Sequence, residues 1–463
     1  MIEELRAELD GIATESDPAS LRIKSRDFFW FSPILKPRLE GREAELIVMP
    51  ANREELARVA AGCVRHRVPL TVRGGGTGNY GQAVPLAGGI VLDMTRLDRV
   101  LNVQPGMGRF EAGARLLEID RQLRPERWEL RFFPSTRKVA TIGGFLAGGA
   151  GGVGSCTWGQ LADPGAVLAA RVLTVEEQPR LIELRGREAL KVTHAYGTNG
   201  IITEVEMPLT AAYDWVDVIV GFDTFAGAAS YGNALACQDG ILTKEIAPIA
   251  APVPYLYFKR HQKFLAEGQS VCVVMVAEQS LAAFLAFTRR IGGEVVFNGA
   301  TVADRKGLPP AYELAWNHTT LRALRVDPSI TYLQVLYPFP NQLELANRMD
   351  KMFPGEVFSH LEFVRFDGNI TCFGLPLVKF TTEERLDEIM RLHEENGCPI
   401  FNAHRYTLEE GGMKQTDEIQ LAFKREADPQ GLLNPGKMIA WENPDYDYKS
   451  GRVFLFKGLQ KAG

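Results

Sequence analysis

At 463 residues, with 46% hydrophobic and 24% charged side chains, the chain has a soluble globular composition and enough length for two cores. Its 52 basic and 57 acidic residues leave a net charge of −5, which gives no support to nucleic-acid or anionic-membrane binding across the surface. The six cysteines, at 63, 156, 237, 272, 372 and 398, form no CxxC or CxxCH, which argues against structural zinc, iron–sulfur clusters and attached haem and fits reduced thiols.

Residues 1–17 are acidic and helical in pattern, unlike a signal peptide. Residues 139–162 are about one-third glycine, which makes a poor membrane helix, so a cytoplasmic protein is expected, free or at the inner face of a membrane. An aromatic run, Phe28-Phe29-Trp30-Phe31, reads as a seal over the core. From residue 45 the pattern turns regular. A strand over 45–49, a helix over 54–66 opened by Asn52 and Glu55 as a capping pair, and a strand over 69–73 make an α/β start.

That second strand opens onto glycines 74, 75, 76, 78 and 81. Glycine tolerates φ > 0 and brings bare main chain to a ligand, and successive N–H groups in such a turn form a nest for an anion, most often a phosphate. Residues 76–81 read GTGNYG, a formal GxGxxG. The dinucleotide reading requires a helix to begin there, whereas QAVPLAGG follows, and the strand over 90–93 comes too soon for a βαβ crossover. Strand signals continue to 109–113, a helix covers 116–123, and a second glycine concentration spans 141–154. Its interleaved Ile142, Phe145, Leu146 and Val153 point to packed backbone against something large and flat rather than a linker. Strands over 167–175 and 200–205 follow, with a turn at 197–200. Over 211–400 the glycine density falls, and strands over 215–222, 270–277, 330–337 and 370–375 alternate with helices over 223–238, 280–291, 342–353 and 381–396.

PLTVRGGGTG, PSTRKVATIGGFLAGGAGG with WGQLAD after it, YGTNGIITEVEMPL and the C-terminal DPQGLLNPGK resemble, in order, the motifs of the para-cresol methylhydroxylase/vanillyl-alcohol oxidase (PCMH) type of FAD-binding domain. The resemblance implies an α+β fold: an N-terminal segment (1–40), a PCMH-type FAD-binding domain (41–210), an α+β cap over the substrate (211–400) and a return to the flavin domain (401–463). It implies FAD, with the pyrophosphate on Arg73, Gly74, Gly75, Gly76, Thr77, Gly78 and Asn79. The body of the cofactor would follow Pro134, Thr141, Ile142, Gly143, Gly144, Gly148, Gly152 and Gly154, its adenine end would meet the main chain of Ile201 and Ile202, and Asn434 and Lys437 would close the site. Some relatives tether the flavin through a histidine where this chain has Thr77, so non-covalent FAD is expected.

Oxidising an alcohol carbon needs a base for the hydroxyl proton, and histidine suits that near neutral pH. His404 matches by position the flavin-facing histidine of the 2-hydroxy-acid dehydrogenase branch and, with Arg405 and Tyr406 beside it, is the expected catalytic group; a packed structural histidine is the alternative. His66 and His393 are expected at the surface, and His194 in a structural role. Relatives of that branch bind a divalent metal where this chain has Val364, Thr371 and Ala403, which supply too few ligand atoms, so no metal is expected. In the cap, Trp316, His318, Arg322 and Arg325 are candidate substrate contacts, a solvated helix face over a core tryptophan being the alternative. Tyr255 and Tyr257 read as same-face residues of a strand. The expected activity is FAD-dependent oxidation of an alcohol or 2-hydroxy-acid carbon, the electron acceptor being oxygen, a quinone or a protein. A flavoprotein subunit passing electrons within a larger complex is the second reading, and a homo-oligomer or partner subunit is compatible with both.

Overall fold

The computed structural model describes residues 1–447 and 452–460. Its first sheet runs Ala13–Glu15, Leu46–Met49, Ile90–Asp93, Leu70–Arg73, with Ile90–Asp93 parallel to both neighbours. Between Leu46–Met49 and Leu70–Arg73 lies the helix Arg53–His66. Its first turn is closed reciprocally: Asn52 Oδ1 accepts from the Glu55 N–H at 2.8 Å and Glu55 Oε2 accepts from the Ala51 N–H at 2.8 Å. The spacing to residue 90, read as too short for a crossover, is bridged without a helix. The glycine loop of residues 74–89 itself carries the chain to a parallel neighbour.

The second sheet pairs Val100–Gln104, Met107–Glu111, Ile201–Ala211, Ala169–Leu173 and Leu181–Arg185, with Trp128–Leu130 on the far end of Ile201–Ala211. The third is antiparallel, Thr243–Ile249, Ser270–Ala277, Trp215–Phe222, Glu294–Asn298, and two three-stranded sheets from residues 330–379 lie beyond it. Lys244 joins the second and third sheets. Its ammonium is buried, donates to Glu129 Oε1 at 2.6 Å and the Leu130 carbonyl at 3.1 Å, and lies among the rings of Phe133, Trp158 and Trp215.

Three expectations on local structure give way. Residues 141–154 are packed backbone only in part, because Thr141 caps a helix, Ile142–Gly148, by accepting from the Gly144 N–H at 3.2 Å. Tyr255 and Tyr257 lie on a short helix, Val253–Tyr257, opened by prolines rather than on a strand. His393 is fully buried, donating from Nδ1 to the Ile389 carbonyl at 2.7 Å and stacking on Phe353, since its helix Glu383–Glu395 turns that face inward.

The C-terminal DPQGLLNPGK loop adds itself beside Leu70–Arg73. The Leu70 N–H donates to the Leu432 carbonyl and the Asn434 N–H to the Leu70 carbonyl, both at 2.9 Å. Buried Asp428 fixes this loop by accepting from the N–H groups of Leu432 and Leu433 and pairing with the buried Lys424 ammonium. Removing one partner of a buried ion pair strands the other charge. Asp428→Ala is therefore expected to lower the unfolding free energy by about 3–5 kcal/mol in denaturant titration; a loss below ~1 kcal/mol would mean that the loop is pinned by other contacts.

Candidate FAD and substrate cleft

The two glycine segments meet. A Cβ on Gly74 would lie 2.0 Å from Thr141 Oγ1 and one on Gly75 2.3 Å from the Val139 carbonyl oxygen, so Gly74 and Gly75 pass against residues 139–141 with no space for a side chain. Gly76 has φ +62 and closes over the Arg73 guanidinium, 2.0 Å from where its Cβ would be. Further along, a Cβ on Gly152 would strike the Phe133 carbonyl oxygen at 2.1 Å. Gln82 ties loop to segment, donating from Nε2 to the Gly148 carbonyl at 2.9 Å. Between them runs one cleft, lined by residues 73–79, Pro134, Thr141, Gly143, Gly144, Gly148, Gly152 and Ile202.

Ile142, Gly154, Ile201, Asn434 and Lys437 stand behind that wall rather than in it. Ile142 points into the core, Gly154 donates to the Lys244 carbonyl, and Ile201 pairs with Leu173. Asn434 Nδ2 donates to the carbonyls of Gln82 (2.8 Å) and Tyr196 (2.6 Å), and Lys437 Nζ to the Gly81 carbonyl at 2.6 Å. Both are braces for the glycine loop. Burial pushes Lys437 down to about 7, against the attraction of Asp27.

The cleft also takes residues outside the expected cofactor set. The Phe28 N–H donates to the Gly78 carbonyl at 2.7 Å, and the stacked rings of Phe28 and Phe31, 5.8 Å apart, line the wall. Part of the aromatic seal is thus a cleft wall. Asp27, Gln82, Gln160, Tyr196 and Gln334 line it as well. Several of these polar groups are buried without a partner among the described residues: Arg73 Nε, Gln82 Oε1, both amide atoms of Gln160, and the Tyr196 hydroxyl. Buried polar atoms are nearly always hydrogen-bonded, so this set fits a long ligand rich in acceptors and donors. Bare main chain at residues 74–79 and Arg73 suit a pyrophosphate, and the glycine wall suits a flat ring. The residues fit FAD.

From the cap side, Trp316, Asn317, His318, Leu321, Phe373 and Leu375 complete the wall. Among the described residues His318 is the only histidine in it. Its Nδ1 is buried and lacks a partner among the described residues, as does Asn317 Oδ1. Burial pushes the imidazole down to about 4; Glu313 pulls it up, and Arg322, Arg325 and Lys138 push it down. Arg322 itself does not reach the cleft, since Nε donates to the Glu313 carbonyl at 2.5 Å and its guanidinium pairs with the Glu313 carboxylate. Arg325 is exposed and also outside the lining.

The expected catalytic group, His404, is buried outside the lining. Nε2 donates to the Tyr332 carbonyl at 3.0 Å, which leaves Nδ1 to accept from the Ser32 hydroxyl at 2.8 Å. Both nitrogens are used, and burial pushes the ring down to about 4. Arg405 and Tyr406 do not line the cleft either; the Tyr406 ring lies under the Lys437 ammonium. Val364 and Thr371 are register partners, and the Thr371 hydroxyl donates to the Tyr337 carbonyl at 2.5 Å. Among the described residues no group of three or more His, Cys, Asp or Glu could hold a metal. Nor is any described helix long and apolar enough to cross a membrane.

Trp316 has φ +51, a region costly for a bulky residue by about 1–3 kcal/mol. Two buried carboxyls hold it there. Its main-chain N–H donates to Glu362 Oε1 at 2.5 Å and its indole N–H to Glu245 Oε2 at 3.1 Å. His360, pushed down to about 3 by burial and therefore neutral, donates from Nε2 to Glu362 Oε1 at 2.7 Å. Burial, and then repulsion by Glu362, raises Glu245 well above the ordinary 4.5, while burial pushes Glu362 up to about 8 against hydrogen bonds from Glu245 and the Trp316 N–H. The folded chain thus keeps protons that the unfolded chain releases above about pH 4.5, so this pair makes stability fall as pH rises from there to about 8. Denaturant midpoints between pH 5 and 9 are expected to show that slope in the parent, at most about 1.4 kcal/mol per pH unit per proton, and a shallower one in Glu362→Gln. Equal slopes would show that the pair does not titrate in this range.

Comparison with known proteins agrees with the cleft. Residues 44–177 match the family described as FAD binding domain. The glycolate oxidase subunit GlcD of Escherichia coli (strain K12) is 26% identical over 431 residues, 85% of this chain and 83% of that protein. Its namesake in Bacillus subtilis (strain 168) is 27% identical over 441 residues, 86% and 89% of the two chains. The D-2-hydroxyglutarate dehydrogenase of Pseudomonas putida (strain KT2440) is 38% identical over 130 residues, 26% of this chain and 12% of that one. Among solved structures, an alkyldihydroxyacetonephosphate synthase superposes with a TM-score of 0.71 at 17% identity, covering 94% of this chain and 85% of the other, which speaks to the fold. With its glycine-walled cleft, a matched FAD-binding domain at residues 44–177 and similarity to FAD-linked oxidases over most of its length, the chain takes FAD as its cofactor.

Proposed function

We propose that this protein oxidises the hydroxyl-bearing carbon of a 2-hydroxy acid, with His318 taking the hydroxyl proton. The observation that carries the assignment is the unpartnered Nδ1 of His318 in the cleft wall. Bound FAD supplies a hydride acceptor. The protein must orient the alcohol, exclude water and remove one proton as hydride leaves. His318 is neutral above about pH 4 and so presents a lone pair across the physiological range. Asn317 beside it offers an acceptor to a hydroxyl, and Trp316, Leu321, Phe373 and Leu375 keep the site dry.

An acidic substrate is supported by Arg322, Arg325 and Lys138, whose field reaches His318 against the opposing field of Glu313. They act as a positive collar rather than as a clamp, since Arg322 and Lys138 pair with Glu313. The relatives named for glycolate and 2-hydroxyglutarate support the same substrate class. His404, with both nitrogens bonded, is assigned to holding the 332 and 32 segments together. Residues 1–40, 41–210, 211–400 and 401–463 remain the proposed division of the chain. One observation favours a second reading, electron transfer within a larger complex: two relatives are named as subunits. Thr77 offers no nucleophilic ring nitrogen to the flavin, so the cofactor is proposed to be non-covalent.

Two measurements test this. Anaerobic bleaching of bound flavin by glycolate, lactate and 2-hydroxyglutarate, set against sugars and phenolic alcohols, is expected to be fastest with the acids and to slow by about 10²–10⁴ in His318→Asn at unchanged flavin content. A variant as fast as the parent removes His318, and failure with the whole panel favours the subunit reading. Acid precipitation should leave the yellow colour in the supernatant; a coloured pellet means a covalent link.

A further inference from the structure

Gln160 is 1% exposed, lines the cleft, and has neither its Nε2 nor its Oε1 hydrogen-bonded among the described residues. An amide buried this way is costly, because a donor and an acceptor have both left water for nothing. The backbone that presents it is specified in detail. The Gln160 N–H donates to Asp163 Oδ2 at 2.6 Å, the Asp163 N–H returns to the Gln160 carbonyl at 3.0 Å, and the Leu161 N–H donates to the Ala150 carbonyl at 2.8 Å. Gly159, just before it, has φ +80 and has no space for a side chain, its Cβ falling 2.4 Å from Asp163 Oδ2.

The location says which part of the cleft this amide serves. The short helix Ser155–Trp158 packs on the cap strands Thr243–Ile249 and Leu361–Phe366, and Gln160 follows directly. The amide therefore stands where the cap closes over the glycine wall, beside Gly151, whose Cβ would approach the Gln160 side chain to 3.2 Å. A reacting ring must be covered by the cap, and Gln160 stands at the cap's contact with the glycine wall. The pyrimidine part of a flavin ring carries carbonyl and N–H groups side by side, the complement of a carboxamide.

We propose that the Gln160 carboxamide hydrogen-bonds the carbonyl and N–H edge of the flavin ring and thereby tunes its readiness to accept hydride. Hydride transfer brings two electrons and one proton into the ring, and the negative charge gathers at its pyrimidine part. An amide N–H directed there stabilises the reduced form more than the oxidised one. Gln160 acts on the ring electronically and takes no proton from the substrate, so it is distinct from the part assigned to His318.

The test uses the full chain loaded with FAD. Gln160→Met keeps the length and removes both hydrogen bonds; Gln160→Glu keeps one acceptor and adds charge. In Gln160→Met the visible flavin bands are expected to shift, the midpoint potential to fall, and FAD to bind about tenfold more weakly. Gln160→Glu should lower the potential further above the pH at which its carboxyl ionises. Bands and potential unchanged in either variant overturn the proposal. Weaker FAD binding with unchanged bands and potential also overturns it, by moving the contact to the nucleotide half. Because potential and spectrum need no substrate, the outcome is independent of whether His318 is the base.

Discussion

Bare main chain has to come within reach of a large ligand on two sides at once. That requirement organises the molecule. Gly74 and Gly75 can lie against residues 139–141 only because no Cβ intervenes, and Gly76 closes over Arg73 at positive φ. Everything around the cleft serves to hold those unclothed segments in place. Asn434 and Lys437 reach from the far end of the chain to the carbonyls of residues 81, 82 and 196, and Asp428 holds their loop against the strand Leu70–Arg73. Segments that cannot lock themselves through side-chain packing are locked by hydrogen bonds from distant elements.

The same logic operates on the cap side with different chemistry. Trp316 holds a conformation that a large side chain avoids, and two carboxyls with raised proton affinity hold it there through its N–H groups. Helix Asn317–Leu324 begins at that point, so the placement of Asn317 and His318 in the cleft depends on the two carboxyls buried behind it. The two carboxyls hold one backbone conformation through hydrogen bonds to the N–H groups of a single residue. Lys244, from the adjacent position on the Glu245 strand, ties the third sheet to Glu129 of the second. One strand therefore sets both the position of the cap and the shape of its wall.

The histidines differ in what the fold gives them to bond. Six of the seven satisfy carbonyls, carboxylates or rings inside the protein or sit by a surface glutamate, and His318 alone faces the cleft. His404 occupies the position that the motif marks, but Ala403 and Arg405 change its surroundings, and the backbone returns it to Ser32 and Tyr332. A position inherited from a motif need not keep its chemistry once the neighbouring ligands are gone.

Local rules were enough for much of this protein. Asn52 and Glu55 announce a helix start, the alternating apolar runs announce the strands, and the glycines with their ordered motifs announce FAD, because backbone nests and caps are written in contiguous residues. The glycine loop also declared by its composition that no helix follows it. Only the tertiary structure decided which side chains face the ligand. Phe28 and Gln334 carry no motif, and they reach the cleft through contacts between residues far apart in the chain; Gln160 lies within WGQLAD, but only the fold shows that its side chain lines the cleft. The acid pair joins positions 245 and 362, and no local pattern relates them. His318 and His404 look alike as letters. What separates them is whether a carbonyl and a hydroxyl from elsewhere in the fold occupy the ring nitrogens, and that depends on packing alone.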